Sequence, residues 1–452
     1  MGAPRTGKTS FHVYCERIHI LAGNPVIQLS GGKDDSFDAL VAFVAEANPE
    51  YSARFINASD GWGVGYNPFR LPEGRSISAH ASALAQYATP PSGDRFEARF
   101  PEEETAECFF AWLAVSQEPV WEAMRLFDFA RRKDWLNLDL PEEYRYQQKS
   151  IASADVRSWE YKTGALRRFL RPFATSEAIR RLLSVSTPVE VAQLYDRGFS
   201  LFLKATPSNT LSPSAGQALL SFVLADLLRT GIENAGQKKK FRVYCDELQM
   251  FAPPQMGDIL DTVLSSGFMF TVAHHHDRQF PDERLRESLK TSCGIKVIFG
   301  GLPARLRKEL AEDSFPKELN TRHHKEPRYM QVRDYIEDED VSITIHPDGR
   351  ESKTTRPVRI PTWDTELVGY EDYTYQEVIS KLAQRFVVPP RHCVVIFPDG
   401  RWQNMKIPTL EPYLPDSDVS LQFKESHDSP LERSGYDPPK RATRSARLHH
   451  AE

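Results

Sequence analysis

The sequence has few cysteines, no long apolar run and no excess of basic residues. Its five cysteines form an odd set with no C-x-x-C pair, which argues against a disulfide framework or a zinc knuckle and indicates a reducing compartment. No run of about 18 apolar residues and no signal peptide is present, so we expect no membrane contact from the chain as given. We predict a cytoplasmic protein, located at the inner membrane only if an N-terminal anchor is missing.

The net charge is −5, and 26% of the 452 residues are charged. A chain without a global basic field must use a local patch, pore or loop for any contact with nucleic acid. Because single hydrophobic cores stop growing near about 250 to 300 residues, we expect two or three domains.

Residues 2–9 read GAPRTGKT and fill the pattern G-x-x-x-x-G-K-[ST] with nothing missing. Glycines in such a loop let backbone N–H groups turn toward phosphate oxygens, Lys8 supplies charge to the β- and γ-phosphates, and the Thr9 hydroxyl ligates Mg²⁺. The alternative is a Gly-containing turn before a helix. We predict that the chain binds ATP and Mg²⁺. The predicted nucleotide-binding residues are Gly2, Ala3, Pro4, Arg5, Thr6, Gly7, Lys8, Thr9 and Ser10.

This pattern begins at residue 2, although a P-loop normally follows a buried β-strand. Either the true start lies upstream or the chain lacks its first strand. A parallel sheet without that strand would expose apolar side chains and unpaired backbone groups. We therefore expect the chain beginning at Met1 to be unstable or inactive unless about ten upstream residues, roughly one strand with its lead-in, are added.

Short apolar strands alternate with helices in two parts of the chain. This alternation is typical of a mostly parallel sheet covered on both faces, which is an α/β fold. The predicted strands are 25–29, 54–57, 199–204, 241–245, 268–273 and 295–299, and the predicted helices are 10–20, 37–47, 214–230, 255–266 and 282–291.

The segments between and after these parts have a different residue pattern. Residues 75–185 lack β-branched runs, so we predict an α-helical insertion, with helices at 105–115, 119–132, 155–173 and 176–183. Beyond residue 331, an acidic turn at 337–340 and two Asp-Gly turns at 346–350 and 397–401 indicate β-hairpins. The predicted domains are 1–74 and 186–330 for the two parts of the α/β core, 75–185 for the insertion, 331–432 for a small β-containing C-terminal extension and 433–452 for a basic disordered tail.

The segment VYCDE ends a predicted strand with Asp246 and Glu247. At this position a P-loop ATPase places the Asp that organises Mg²⁺ and the Glu that positions the attacking water. A strand followed by two acids is common, but here it lies downstream of an intact P-loop. We predict Thr9 and Asp246 at the metal, and Lys8 and Glu247 in catalysis.

The order of GAPRTGKTS, YNPFR at 66–70, VYCDELQMF at 243–251, FMFTVAHHHDRQF at 268–280 and IKVIFGGLPARLRKEL at 295–310 resembles the FtsK/HerA class of hexameric DNA-pumping ATPases. Within that class it is most similar to the coupling ATPases of type IV secretion and conjugation, the TraG/TraD-like proteins. The resemblance covers about residues 1–312. It implies a RecA-like P-loop NTPase fold, a hexameric ring that hydrolyses ATP, and DNA as partner, with secretion-system or relaxase proteins. Because a neighbour completes each site in such a ring, a lone subunit should be a poor ATPase.

Two positions depart from the family pattern. Alignment on Gln279 and Phe280 places His275 where the family has a glutamine that senses the γ-phosphate, and the resemblance implies the same catalytic role for His275. Leu264 stands about where the family often carries a trans-acting arginine. Arg278 and Arg305 are the substitutes, although each is more often a surface or ion-paired arginine.

Two further runs carry an alternative interpretation each. The triplet His274–His276 suggests a metal site, but adjacent side chains at a strand end point in alternate directions, so one metal cannot easily take all three. The run Lys238–Lys240 is either a solvated loop or a contact to the DNA backbone.

Two other functions are compatible with the same motifs. A HerA-like ATPase that regulates a nuclease partner in anti-phage defence would share them, and gene neighbours would distinguish it. A scaffold protein could keep the P-loop fold without turnover, and a hydrolysis assay would distinguish that.

Overall fold

The computed structural model describes residues 1, 6–32, 36–88, 100–234, 240–253, 256–257, 260, 267–276, 279–280, 282–319, 325–410 and 418–428. The P-loop residues 2–5, the predicted tail 433–452 and most of the predicted helix 255–266 lie outside these ranges.

A six-stranded sheet forms the centre of the protein, in the order β3-β2-β4-β1-β5-β6. Strands β2, β4, β1, β5 and β6 run parallel, and only the two-residue β3 is antiparallel to its neighbour. All five residues of β1 are buried, including the polar Gln28 and Ser30, as expected for a strand that is covered on both faces. The strands are β1 Val26–Ser30, β2 Ala53–Asn57, β3 Trp62–Gly63, β4 Ser200–Lys204, β5 Phe241–Asp246 and β6 Phe268–Val272.

Helices cover both faces of this sheet. Helices α1 (Lys8–Leu21) and α2 (Ser36–Ala47) pack on one face, where they share a core with Val26. Ile27 and Leu29, which point to the opposite face, belong to a core that includes α10 (Pro213–Glu233). Helix α10 is long and apolar enough to cross a membrane, but 67% of its most apolar stretch is buried inside the protein.

The helical insertion packs onto the same core as α10. Its helices are α3 Ile77–Ala88, α4 Phe100–Ser116, α5 Val120–Ala123, α6 Arg145–Ala152, α7 Val156–Thr175 and α8 Glu177–Leu183, and the short α9 Gln193–Arg197 follows. The helix predicted at 119–132 is wrong, because α5 ends after one turn and 3-10 segments follow at Met124–Phe127 and Phe129–Asn137. The extended backbone of Asp128 causes the break, and its side chain accepts a hydrogen bond from the Ala130 N–H.

The C-terminal part adds two smaller sheets. Strand β7 (Lys296–Phe299) pairs antiparallel with β10 (His392–Ile396), which pairs with β11 (Trp402–Lys406). The expectation that residues 295–299 belong to the parallel core sheet is therefore wrong. The backbone of Met1 makes two hydrogen bonds of 2.8 Å to β7, at Val297 and Phe299, in the pattern of a parallel ladder.

Within the described residues, the C-terminal half also contains a long hairpin and four further α-helices. The hairpin consists of β8 (Lys325–Ile345) and β9 (Glu351–Asp372), which pair only with each other in a sheet of their own. Both predicted Asp-Gly turns are confirmed, with φ of 79° at Gly349 and 84° at Gly400. The acidic run 337–340 lies inside β8, not in a turn, because its residues pair with 356–359 across the ladder. The helices are α11 Glu283–Ser292, α12 Ala304–Ser314, α13 Tyr375–Ala383 and α14 Asp418–Ser426.

Candidate nucleotide site

The described part of the P-loop leads directly into the N-terminus of α1. Gly7 has φ of 108°, a left-handed conformation that a side chain would strain. The four N–H groups at the start of a helix have no partner within it and carry the positive end of the helix dipole. An anion is therefore favoured in front of Lys8, as the P-loop pattern predicts.

Lys8 is buried, with its Nζ 3.1 Å from Nδ1 of His275. Burial holds the pKa of the Lys8 ammonium below its usual value, while the nearby carboxylates of Glu247 and Asp246 act in the opposite direction. A phosphate group at this position would place negative charge directly beside the buried ammonium and so favour its charged form.

Thr9 and Asp246 lie in contact, as predicted for a shared metal site. The Thr9 hydroxyl donates to Oδ2 of Asp246 over 3.1 Å, from α1 to the end of β5. Both side chains offer oxygen atoms, which are the ligands that Mg²⁺ prefers. The pair therefore fits Mg²⁺, with Thr9 and Asp246 as the residues that would hold it together with substrate phosphates.

Glu247 has a polar partner at each of its carboxylate oxygens. Nε2 of His275 lies 3.2 Å from Oε1, and the Gln249 amide donates to Oε2 over 2.6 Å. A lysine ammonium can only donate, so the contact from Lys8 makes Nδ1 of His275 the acceptor and leaves the proton on Nε2, which faces Glu247. The ring thus connects the phosphate-binding lysine to the carboxylate predicted to position water.

The backbone also fixes the direction of Glu247. Its φ of 58° and ψ of 42° place it in the left-handed region, which costs roughly 1 to 2 kcal/mol for a residue with a side chain. Such strain is found most often at functional positions. The Leu248 N–H donates to the Ala273 carbonyl over 3.1 Å, which holds the turn against the end of β6.

The three histidines take different directions. His275 faces Lys8 and Glu247, whereas the ring of His274 packs against Phe280 at 5.1 Å between centroids. The backbone N–H groups of His275 and His276 both donate to the side-chain oxygen of Gln279, at 3.1 and 3.3 Å. Among the residues that the structure describes, no group of three His, Cys, Asp or Glu side chains could hold a metal ion.

Sequence reasoning missed the roles of two glutamines in the site: Gln249 donates to Glu247, and Gln279 accepts from the backbone of the histidine turn. It also missed the loop before β10. There the Arg391 N–H donates to the Thr6 carbonyl over 3.3 Å, and a Cβ added at Gly7 would lie 3.5 Å from Cα of Arg391. The C-terminal part therefore touches the P-loop directly.

The other predicted site residues divide into two groups. Arg305 lies on α12 with 76% of its side chain exposed, in an ion pair with Glu309 at 3.2 Å, which agrees with a surface arginine. Leu264, Arg278, Lys238 and Lys239 lie outside the described residues, as do Gly2, Ala3, Pro4 and Arg5.

The YNPFR element lies between the core and the insertion. The Tyr66 hydroxyl donates to Asp226 of α10 over 2.6 Å, and the Phe69 ring packs against Phe110 of α4, Phe173 of α7 and Phe222 of α10. Its role in this structure is to join the helical insertion to the sheet.

Comparison with known proteins gives the fold. No protein-family profile and no curated protein matches the sequence. The unbound monoclinic form of the bacterial conjugative coupling protein TrwBdeltaN70 aligns at 13% identity with a TM-score of 0.52, over 92% of this chain and 85% of that chain. The plasmid coupling protein TrwB with the GTP analogue GDPNP, and TrwB with ADP and Mg²⁺, both align at 12% identity with a TM-score of 0.54, over 92% of this chain and 86% of theirs. The predicted α/β P-loop NTPase fold is confirmed.

Proposed function

We propose that this chain is an ATPase of the coupling class, which uses ATP hydrolysis to move DNA, bare or attached to protein, through a ring of subunits. The observation that carries hydrolysis is the contact series from Lys8 through His275 to Glu247, because it joins a phosphate-binding residue to a water-positioning one. The fold shared with TrwB supports the coupling class.

Each residue of the site has a distinct part in this reaction. The N-terminus of α1 and Lys8 bind the β- and γ-phosphates, and Thr9 and Asp246 would hold Mg²⁺, which would supply charge neutralisation at the phosphate oxygens. Glu247, fixed by Gln249 and by its own backbone, orients the attacking water. His275 donates to the γ-phosphate or to Glu247, and so senses whether the γ-phosphate is present.

Nucleotide binding must rearrange the contact between Lys8 and His275. The Lys8 ammonium now donates to Nδ1 of His275, and phosphate oxygens would compete for the same donor. A lysine drawn to phosphate releases His275, which remains beside Glu247. Occupancy of the site is in this way communicated to the carboxylate that orients water.

The partners follow from the likeness to a conjugative coupling protein. We propose DNA as the translocated polymer, a hexameric ring, and a relaxase, a secretion-system component or a nuclease as the accessory partner. Work on DNA or on a secretion channel would place the protein in the cytoplasm or at the inner membrane.

The decisive experiment compares ATP hydrolysis and nucleotide binding in matched variants. Glu247→Gln should keep binding of Mg²⁺-ATP and lower hydrolysis by roughly 100-fold or more, because it removes the polarising carboxylate but no phosphate contact. Lys8→Ala should lose binding itself. Glu309→Gln, at the exposed carboxylate on α12, is the control and should match the wild type. Equal hydrolysis by the wild type and Glu247→Gln would show that the catalytic assignment is wrong, and binding without any turnover in the wild type would favour a scaffold.

A further inference from the structure

The hairpin of β8 and β9, residues 325–372, is here called the arm. Its strands have 21 and 22 residues, and a strand of this length spans about 70 Å at roughly 3.4 Å per residue. A compact chain of this size has a radius of gyration of only about 22 Å. Every residue from Glu337 to Pro361 is exposed. The outer half of the arm thus projects from the body of the protein.

Strand β8 carries an apolar stripe in the projecting half of the arm, and its partners across the ladder are Thr355, Lys353 and Glu351 of β9. Val341, Ile343 and Ile345 alternate along β8 with exposed fractions of 41%, 60% and 69%, and alternate residues of a strand share a face. On the opposite face, nearer the turn, Ser342 pairs with Thr354 and Thr344 pairs with Ser352. A two-stranded hairpin is at best marginally stable in water, so an arm with three exposed β-branched residues in a row needs a surface to cover it.

The charge of the arm argues against nucleic acid as that surface. The arm carries seven Lys or Arg and twelve Asp or Glu, and a phosphate backbone repels such a segment. An acidic arm with an apolar stripe fits a protein surface that is basic and carries exposed apolar side chains.

This chain has such a surface on its helical insertion. Residues 145–183, covering α6 to α8, hold nine Lys or Arg and three Asp or Glu. The exposed side chains of Tyr146 and Lys149 on α6, and of Arg157, Tyr161 and Arg168 on α7, form what we call the basic helical face. Tyr146 and Tyr161 are 76% and 52% exposed, so these helices offer both aromatic and basic side chains, which complement an acidic arm with an apolar stripe.

We infer that the arm binds a second copy of this chain, with its apolar stripe and its acidic residues packed on the neighbour's basic helical face. The inference rests on the proposed function, because the arm would supply the contact between neighbouring subunits of an ATPase ring. It also gives the C-terminal insertion between α12 and α13 a role that the nucleotide site does not provide.

A shortened arm tests this directly. Replacing residues 337–359 by Asn-Gly keeps the pair Ile336–Ile360 and closes it with a two-residue hairpin turn. In the full chain, we expect the variant to remain monomeric at concentrations where the wild type assembles, as measured by sedimentation velocity. Its melting temperature and its affinity for Mg²⁺-ATP should match the wild type, which excludes misfolding.

Point substitutions keep the experiment informative if the deletion disturbs folding. Val341→Thr, Ile343→Thr and Ile345→Thr together preserve β-branching but remove the apolar stripe, and should weaken assembly at least tenfold. Ser342→Thr with Thr344→Ser, on the opposite face, is the matched control and should assemble within twofold of the wild type.

Charge reversal tests the basic helical face. Asp338→Lys with Glu339→Lys, opposite the uncharged Val358 and Pro357, should weaken assembly, as should Arg157→Glu with Arg168→Glu. A chain with all four changes should assemble as the wild type does. If it does not, the assignment of the basic helical face is overturned.

Three results would overturn the arm as the subunit contact. The first is that the shortened chain assembles as the wild type does, and the second is that the wild type stays monomeric at all concentrations. The third is that the shortened chain assembles normally but loses affinity for a DNA oligonucleotide. ATP hydrolysis in the same samples separates the two proposals. A monomeric wild type that hydrolyses ATP removes the arm contact and the ring but keeps the ATPase, whereas an assembled wild type without hydrolysis removes the ATPase and keeps the arm contact.

Discussion

His275 contacts both Lys8 and Glu247, and the sequence resemblance predicts that it replaces a glutamine. A glutamine side chain can also accept from a lysine and donate to a carboxylate. We expect His275→Gln to keep kcat within about threefold of the wild type, and His275→Ala to lower kcat about 100-fold with little change in KM, the loss typical of one missing transition-state donor. The measurement is steady-state ATP hydrolysis of both variants.

Two outcomes would contradict this role. If His275→Ala retained wild-type kcat, the histidine would have no part in the reaction. If His275→Gln and His275→Ala lost activity equally, the imidazole would act through chemistry that an amide cannot provide, such as proton transfer.

The sequence predicted the central residues of the site but not their supports. Lys8, Thr9, Asp246 and Glu247 belong to motifs whose spacing follows from the chemistry of phosphate and Mg²⁺, and the structure brings all four together. Gln249 and Gln279 act through hydrogen bonds that depend on the particular shape of two turns. No spacing rule marks a glutamine as such a partner, so only the fold could show them.

At the scale of elements, the loop before β10 connects the C-terminal part to the P-loop. A Cβ at Gly300 would lie 2.3 Å from the Val388 carbonyl oxygen, so Gly300→Ala must push residues 387–391 away. Because the Arg391 N–H in this loop donates to the Thr6 carbonyl, we expect the substitution to weaken Mg²⁺-ATP binding about tenfold, equivalent to about 1.4 kcal/mol. Gly164→Ala, in α7, is the control, since its Cβ would meet only the flexible Glu160 and Arg168 side chains.

The measurement is ATP affinity alongside a thermal melt for both variants. A lower melting temperature for Gly300→Ala with unchanged affinity would show that the loop stabilises the fold without acting on the P-loop. Loss of affinity in the Gly164→Ala control would show that the assay reports general destabilisation.

Element types were predictable, whereas their partners were less so. The apolar run of β7 reads like any buried parallel strand, and nothing in it reveals that β10, nearly a hundred residues later, pairs with it antiparallel. The hairpin turns were predictable because Asp-Gly supplies the positive φ that such turns need. The length of β8 was not predictable from the sequence. Its acidic run at 337–340 is typical of a turn unless its pairing partners at 356–359 are known.

At the scale of the whole molecule, the sheet and the helical insertion share one hydrophobic core, and none of the arm side chains that the structure describes belongs to it. The α/β class was predictable from the alternation of strands and helices, because a parallel sheet is covered by helices on both faces. The use of the arm depends on a second molecule, and no pattern within one chain specifies that.

The central claim is that this chain hydrolyses ATP at the Lys8, Asp246 and Glu247 site as an assembly of copies. The most direct measurement is the rate of Mg²⁺-dependent ATP hydrolysis per subunit across a wide range of protein concentrations, with Glu247→Gln in parallel. The account predicts a rate per subunit that rises with concentration to a plateau as subunits associate, and a variant that stays roughly 100-fold lower throughout. A rate per subunit that is independent of concentration, or equal in the variant, would contradict it.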